Sequence, residues 1–382
     1  MKNILCFVII SILVFLGACN SMNQKRQPLD SHWQELFQNS SQLSDVSRGK
    51  PLSLNKVKIQ DYDIGGVQFL NATFDDTEWN AVMGKKSQFA NVTFKNSDLI
   101  DVDFSFSTLT DVTFENVTFT SARFHHSTFV NVRFHDCKFL DLQKDYFRSF
   151  SGLKAQGVKI VNSKMQNITL FESQGEFHIE DSQLEDVSFA GLKFPSSVDI
   201  KRSQLGGVNF DSSNLTKFTA IDSQLKKTTV QDCNIGKVVL TNSTLDIYFS
   251  QSVIDEVRVL ETQNELLGFL GANINDGSIS FCKEGGLIGL TGMKFKTFKI
   301  NNCNDVDLKA PEIVGESFTI LNCRLKEAKF YDMAIESFIL NNVEFAGATD
   351  FDGAQAKTSE VRNIKKGPGA IVTAQGSNIR FY

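Results

Sequence analysis

A large apolar residue recurs at every fifth position over much of the first half of this chain. Between residues 69 and 139, fourteen of the fifteen residues in this register are large and apolar, and all fifteen residues two positions earlier are small or β-branched. A period of five matches neither the 3.6-residue helix nor the two-residue alternation of a strand. It predicts a coil that turns a corner every five residues, with both sets of side chains facing inward. The large residues are Phe69, Phe74, Trp79, Phe89, Phe94, Leu99, Phe104, Leu109, Phe114, Phe119, Phe124, Phe129, Phe134 and Phe139.

The corners of this coil carry short polar side chains. We call the every-fifth residues of this register the centres of the repeats. Of the fifteen residues that lie two positions after a centre, ten are Asn or Asp, as at Asn71, Asn91 and Asp111. Such side chains satisfy the backbone of turns. The pattern resembles the pentapeptide-repeat family, and the resemblance implies an all-β fold: a right-handed quadrilateral β-helix with four five-residue sides in each coil. The chain departs from the family pattern, because Asn or Asp follows the central residue and Thr, Gln or Arg mostly precedes it.

The register extends far beyond the first repeats. Ten centres follow one another from Ile200 to Leu245, and six more run from Ile320 to Phe345. Residues 57–353 are therefore expected to form nearly fifteen coils. At about 4.8 Å per stacked strand, that is a rod about 70 Å long.

Three segments do not follow the register. The sequence predicts irregular insertions near 142–157 and in the Gly-rich window 264–292, which are either partner-binding loops or insertions tolerated at corners. Residues 354–382 form a basic tail that is not expected to continue the coil.

The start of the chain has the layout of an export signal. Lys2 precedes an apolar run, residues 4–15, that is too short to span a bilayer comfortably. Leu-Gly-Ala-Cys at 16–19 resembles the lipobox of bacterial lipoproteins. The resemblance implies that the signal peptide, residues 1–18, is removed and that Cys19 carries acyl chains, palmitate among them, which anchor the protein in a membrane. The alternative is an ordinary secretory signal that happens to end in Ala-Cys.

Residues 19–56 are expected to join the anchor to the rod. Ser31-His32-Trp33-Gln34 looks like a capping box at the start of a short helix. Its apolar face would consist of Trp33, Leu36 and Phe37, and we expect it to cover the first coil, since an open end of a sheet must be covered. The residues before it would form a polar tether.

Two cysteines are spaced to stack on successive coils. Cys303 and Cys323 are 20 residues apart, and Cys282 could join the same column. An exported protein meets an oxidising compartment, so a Cys303–Cys323 disulfide is a candidate. A ladder of free thiols is the alternative, because parallel stacked Cβ atoms lie rather far apart for a bond.

The remaining chemistry-bearing residues do not form a recognisable site. His125 and His135 would lie on opposite sides of the rod, so no metal site is expected. No nucleophile–base spacing, phosphate-binding loop or zinc signature is present, and neither catalytic residues nor a cofactor are expected.

These features together predict a non-catalytic scaffold in the bacterial envelope. The lipid on Cys19 would hold it in a membrane, and Asn20 after the cysteine favours the outer membrane by resemblance to other lipoproteins. Its partners would be envelope proteins, for example those of a secretion or motility assembly, and not nucleic acid, because the net charge is only −5. One alternative is a glycan-binding or glycan-cleaving β-helix. A topoisomerase-binding DNA mimic, as in part of the family, is less favoured for an exported and mildly acidic chain.

Overall fold

The chain winds into a parallel β-solenoid in which each strand pairs with the strand one turn further on. The computed structural model describes residues 26–140, 150–283 and 285–380. Pairs such as Phe74 with Phe94 and Phe94 with Phe114 are 20 residues apart and parallel. One inward column passes through sixteen turns, from Leu54 to Val361. Fifteen spacings of about 4.8 Å give a rod about 70 Å long, and the predicted all-β fold class is confirmed.

In the first five turns three sides of the coil are separate short strands, because a corner follows every five residues, and the fourth side is joined by isolated bridges from Asp63 to Arg123. The strands of this part are β1 (Gln27–Pro28), β2 (Leu52–Asn55), β3 (Val57–Gln60), β4 (Gln68–Leu70), β5 (Ala72–Asp75), β6 (Glu78–Asn80), β7 (Gln88–Ala90), β8 (Thr93–Lys95), β9 (Asp98–Ile100), β10 (Thr108–Thr110), β11 (Thr113–Glu115), β12 (Thr118–Thr120), β13 (Thr128–Val130), β14 (Arg133–His135) and β15 (Lys138–Leu140).

Further along the chain, two sides of the coil often merge into one strand that bends at the corner between them. The strands are β16 (Lys154–Val161), β17 (Lys164–Gln166), β18 (Thr169–Phe171), β19 (Gln174–Glu180), β20 (Gln183–Glu185), β21 (Ser188–Ala190), β22 (Lys193–Lys201), β23 (Gln204–Gly206), β24 (Asn209–Asp211), β25 (Asn214–Ile221), β26 (Gln224–Gln231), β27 (Asn234–Thr241), β28 (Thr244–Ser250), β29 (Val253–Leu260), β30 (Gln263–Leu270) and β31 (Asn273–Ser280). The last turns contain β32 (Leu287–Gly289), β33 (Lys294–Asn301), β34 (Asn304–Lys309), β35 (Val314–Lys329), β36 (Ala334–Phe345), β37 (Thr349–Asp350), β38 (Gln355–Arg362), β39 (Lys365–Lys366) and β40 (Val372–Thr373).

Asn and Asp stand at the corners, as the sequence predicts. Asn71, Asn91 and Asp111 have φ of 55°, 54° and 53°, in the left-handed region that Asn and Asp tolerate better than most residues. Their side chains also bond from turn to turn. Asn91 Nδ2 donates to Asn71 Oδ1 at 2.6 Å, and Asn131 Nδ2 donates to Asp111 Oδ1 at 3.0 Å.

The interior is filled by stacked aromatic rings. Phe74, Phe94, Phe114 and Phe134 form one column whose ring centroids are 4.9, 5.1 and 5.0 Å apart. All four are at most 2% exposed. The five-residue register thus becomes a continuous apolar core, because successive turns place the same residue type at the same point of the cross-section.

Serines two positions before the centres accept hydrogen bonds from buried backbone N–H groups. Ser203 Oγ accepts from the N–H of Ser182, Ser223 Oγ from that of Ser203, and Ser243 Oγ from that of Ser223, at 3.1–3.2 Å. A hydroxyl at this position therefore completes the hydrogen bonding of the preceding turn.

The start of the rod is covered by two helices, α1 (Ser31–Phe37) and α2 (Ser40–Gly49). Leu36 and Phe37 are buried, as expected, but the N-cap of α1 is Asp30, whose side chain accepts from the N–H of Trp33, and not Ser31. Asp lies one residue earlier and is a good N-cap acceptor. The sequence did not predict α2.

Helix α2 closes an open strand edge with its serines. Ser44 Oγ accepts from the N–H of Gln68 at 3.0 Å, and Ser47 Oγ accepts from that of Leu70 at 2.7 Å. The coil itself begins with β2 at Leu52, so the expected boundary at residue 57 is several residues too late. None of the helices within the described residues is long and apolar enough to cross a membrane.

The expected insertions are reproduced only in part. Phe129 pairs with Ala155, 26 residues on instead of 20, so this turn does hold extra residues; 141–149 lie outside the described residues. Most of the window 264–292 continues the coil, because β30, β31 and β32 pair with their neighbours across it. The irregularity there is small: Leu266 pairs with Leu287 and Asn273 with Lys294, each 21 residues on, so the turn holds one extra residue and the backbone ladder continues.

The basic tail also continues the coil, contrary to expectation. Strand β38 pairs in register with β36, from Gln355 with Ala334 to Arg362 with Asn341. Asn378 then occupies the place of a further strand: its Oδ1 accepts from the N–H of Ala356 at 2.8 Å and its Nδ2 donates to Ala356 O at 2.9 Å.

Candidate functional site

The cysteines of the described chain do not pair as the sequence suggested. A disulfide joins Cys282 to Cys303, whose Cα atoms are 4.5 Å apart, and Cys323 is a free thiol. The candidate Cys303–Cys323 bond is therefore wrong. The two residues lie on regular stacked turns, where the sulfur of Cys323 accepts from the N–H of Cys303 at 3.5 Å, as a serine would. Cys282 lies in an irregular stretch after β31 and approaches Cys303 more closely.

The other thiols are buried parts of the core. Burial raises the pKa of Cys137 to about 12 and those of Cys233 and Cys323 to about 11. Such thiols are protonated at neutral pH and are poor nucleophiles. The predicted lipidation site, Cys19, lies outside the described residues and stays a prediction.

The histidines are spread over the rod surface. His135 Nδ1 lies 3.0 Å from Asp136, and His178 Nδ1 lies 3.5 Å from Asp199. His126 stacks on Phe106 with ring centroids 5.2 Å apart. Within the described ranges, no three His, Cys, Asp or Glu side chains lie close enough together to hold a metal ion.

Arg26 attaches the segment before helix α1 to the side of the rod. Its guanidinium lies 2.9 Å from Asp76, 2.5 Å from Asp98 and 3.8 Å from Glu78, and it also donates to Asn96 O. The side chain is only 17% exposed. Burial opposes its charge, but the bonds to Asp98 and Asp76 outweigh that effect and raise the pKa of Arg26. The two-residue β1 follows at once and pairs with β3.

One corner of the rod has a lowered floor. The inward column at this corner contains Ile274, Phe295, Gly315, Ile335 and Ala356, so two of its five residues are very small. The Phe295 ring lies where the missing Cβ of Gly315 would be, within 2.7 Å. The result is an open groove of about 770 Å³, here called the Gly315 groove.

The walls of the Gly315 groove are polar and carry both signs of charge. They include three lysines and two glutamates, and Lys357 pairs with Glu336 across adjacent turns. The corner residues bend without entering the left-handed region, since they have no positive φ. The wall residues are Asn273, Asn275, Lys294, Lys296, Val314, Glu316, Ala334, Glu336, Gln355 and Lys357.

A second groove lies on the same corner nearer the start of the rod. Its floor column holds Phe129, Ala155 and Gly175, and the groove volume is about 400 Å³. Gly175 is required here, because a Cβ would lie 1.8 Å from Ala155 O. This second groove, which Pro195 and Ser196 also line, is called the Gly175 groove below.

The sequence did not predict either groove. The available signal was a small residue at a position where the register places a large one, as Gly315 stands five residues before Ile320. That signal alone is ambiguous, because Gly84 also interrupts the register and, as at Gly315, the ring of an adjacent turn lies where its Cβ would be, here 2.7 Å from Phe104.

One family model matches part of the coil. The model for pentapeptide repeats matches residues 97–136, with eight copies of the repeat. These forty residues are pentapeptide repeats. The match covers the most regular part of the described rod, where the five-residue period, the corner Asn and Asp residues and the stacked Phe columns coincide. No curated protein sequence matches the chain.

Two solved structures are similar to this chain. One is QnrB1, a plasmid-mediated fluoroquinolone resistance protein, at 15% identity over 48% of this chain and 84% of its own, with a TM-score of 0.26. The other is HetL, a pentapeptide-repeat protein involved in the regulation of heterocyst differentiation in a Nostoc cyanobacterium. It is 10% identical over 71% of this chain and 92% of its own, with a TM-score of 0.20.

Proposed function

We propose that this protein is a non-catalytic scaffold of the bacterial envelope. In this proposal a lipid on Cys19 holds it in a membrane, by preference the outer membrane, and the rigid β-helix binds envelope proteins. Membership of a larger assembly, such as a secretion or motility machine, is part of the proposal.

The Arg26 contacts are the observation that carries the proposal. Only six residues lie between Cys19 and Arg26, and the seven Cα–Cα steps span at most about 25 Å when extended. Because Arg26 is tied to carboxylates of two successive turns, a lipid on Cys19 would hold the covered end of the rod close to the membrane surface. Such an attachment suits a rod that must present its sides to partners at a fixed height.

The rod itself has the properties that a scaffold needs. Its successive turns pack through stacked rings and paired backbone, so its surfaces keep a fixed spacing along about 70 Å. Solenoids generally bind partners along such extended surfaces.

The proposal is tested by purifying the full-length protein from crosslinked, detergent-solubilised envelopes. We expect labelled palmitate on the wild-type protein and a reproducible set of envelope proteins recovered with it. Cys19→Ser should abolish both and move the protein to the soluble fraction. Cys137→Ser is the matched control, because a hydroxyl at that inward position occurs elsewhere in the ladder and lies far from the signal.

Two results would refute different parts of the proposal. Absence of label with unchanged membrane association would exclude the lipid on Cys19. Recovery of a labelled protein alone, without envelope partners after crosslinking, would exclude the scaffold.

A further inference from the structure

We propose that the Gly315 groove binds a linear, largely uncharged polysaccharide that runs along the rod axis. The inference goes beyond the scaffold function and does not depend on the lipid. Its basis is the shape of the groove, the chemistry of its walls and its repetition along one corner.

The groove has the dimensions of a short length of extended glycan. It crosses five successive turns, from β31 to β38, and turns are about 4.8 Å apart. That spacing is close to the length of one pyranose unit in an extended chain. Successive sugars would thus meet the same kind of contact on successive turns.

The floor and walls offer the two kinds of contact that sugars use. The apolar surface that the C–H face of a sugar ring can meet comes from Val314, which is 48% exposed, and from exposed Ala334, above the buried Phe295 and Ile335 of the floor. Asn273, Asn275 and Gln355 are exposed amides that can donate to and accept from hydroxyl groups. Sites of this type combine an apolar surface with a few polar groups that fix orientation.

The groove does not suit a peptide that binds by strand addition. The N–H groups of Lys294, Val314 and Ala334 already donate to the carbonyls of the preceding turn at 2.8–3.0 Å. The strand backbones are therefore occupied, and only side chains remain for recognition. Strand addition needs a free edge, which this corner lacks.

The second groove indicates that the ligand is repetitive. The Gly175 groove lies on the same corner column, and its walls carry Thr128, Gln156, Gln174 and Thr216. Two similar grooves aligned along one rod fit a polymer with a repeating unit better than a folded partner.

The charges of the Gly315 groove select among glycans. Three lysines and two glutamates nearly cancel, and Lys357 is already paired with Glu336. The excess is a single positive charge, and a polyanionic glycan would also meet the carboxylates of Glu316 and Glu336, so a neutral or N-acetylated chain fits best.

The test uses affinity electrophoresis of the full-length protein in detergent. The gels contain hydroxyethyl cellulose as a neutral glycan or alginate as a polyanionic one, and cosedimentation with purified cell-wall sacculi supplies an N-acetylated one. We expect binding to hydroxyethyl cellulose or to sacculi, and weaker binding to alginate. Ala334→Trp, an exposed wall position, should fill the groove and weaken binding about tenfold or more.

Two further variants make the result specific. Thr229→Trp places the same ring on an exposed strand position of another side, and it should bind like the wild type. Lys296→Gln tests the wall without changing its bulk and should weaken binding less than Ala334→Trp. Thermal unfolding of each variant confirms that it is folded.

Several outcomes would overturn the proposal. They are no binding to the neutral glycan or to sacculi, stronger binding to alginate than to both, or equal loss in Ala334→Trp and Thr229→Trp. Cys19→Ser should keep the glycan binding and lose the membrane, so a failure of this inference is distinguishable from a failure of the scaffold proposal.

Discussion

Asp103 is a buried carboxylate that lies between the inward residues Val102 and Phe104 and stacks between Met83 and Arg123. It is 4% exposed. Its Oδ1 accepts from the N–H of Ser105 at 3.0 Å, and its Oδ2 lies 3.3 Å from Lys85 Nζ. Burial by itself would raise its pKa, but the bonds from Ser105 and Lys85 outweigh that effect and lower the pKa below the ordinary 3.8.

This arrangement predicts a dependence of stability on pH. A carboxylate with a lowered pKa stabilises the fold above its unfolded pKa, and that contribution is lost as the pH falls through the folded pKa. We expect Asp103→Asn to cost about 1–2 kcal/mol at neutral pH and progressively less below about pH 4. Urea midpoints at several pH values measure this, with exposed Asp101→Asn as the control. Equal pH profiles for wild type and Asp103→Asn would contradict the prediction.

The serine ladder makes a second residue-scale prediction. Ser223→Ala leaves the buried N–H of Ser203 without its acceptor, which we expect to cost about 1–3 kcal/mol in the free energy of unfolding. Ser223→Cys should cost less, since a sulfur accepts the equivalent bond at Cys323. Denaturant unfolding measures both, and exposed Ser359→Ala is the control. A Cys variant no more stable than the Ala variant would refute the ladder's role.

The disulfide assignment can be checked by thiol mapping. We expect Cys282 and Cys303 to appear as one linked peptide without reductant, and Cys137, Cys233 and Cys323 to be alkylated only after unfolding, because they are buried. Peptide mass spectrometry before and after denaturation measures this. A peptide linking Cys303 to Cys323 would restore the sequence-based pairing.

At the scale of elements, the covering helices matter because the first turn has no preceding strand. Ser44 and Ser47 of α2 act as a substitute for that strand along β4. The polar backbone of an uncovered edge attracts other edges and promotes aggregation.

The double change Ser44→Ala and Ser47→Ala tests this cover. We expect it to lower the free energy of unfolding by about 2–5 kcal/mol, since two buried N–H groups lose their acceptors. Concentration-dependent light scattering should rise as the edge opens. The matched control is Ser41→Ala with Ser53→Ala, both exposed. If both double variants behave alike, α2 does not protect the edge.

At the scale of the whole molecule, the sixteen stacked turns set the length. We expect small-angle scattering of the soluble Cys19→Ser protein to give a maximum dimension of about 80 Å, from about 70 Å of stacked strands and the covering helices. A value near twice that would show end-to-end association, which the helices at one end and Asn378 at the other are placed to prevent.

The sequence by itself determined the repeating part of this structure. Each five-residue unit contains its own inward side chain, such as Phe94, and its own corner residue, such as Asn91. Every unit therefore favours the same local conformation. Local consistency of this kind is readable without coordinates. The fold, the core and the corners were predicted for this reason. The glycine-rich window interrupts the five-residue pattern, but the strands in it still pair with the turns on either side.

Only the tertiary structure decided the features that depend on accumulated register. Most turns advance by 19 to 21 residues, as in Met165 with Leu184, and a few by more, as in Phe129 with Ala155 or Thr349 with Val372, so offsets add up along the rod. They decide that Cys303 is bonded to Cys282 and not to Cys323, and that Gly315 lies in the column under the groove. The physical reason is that contacts between turns join residues distant in sequence, whose alignment no five-residue unit specifies.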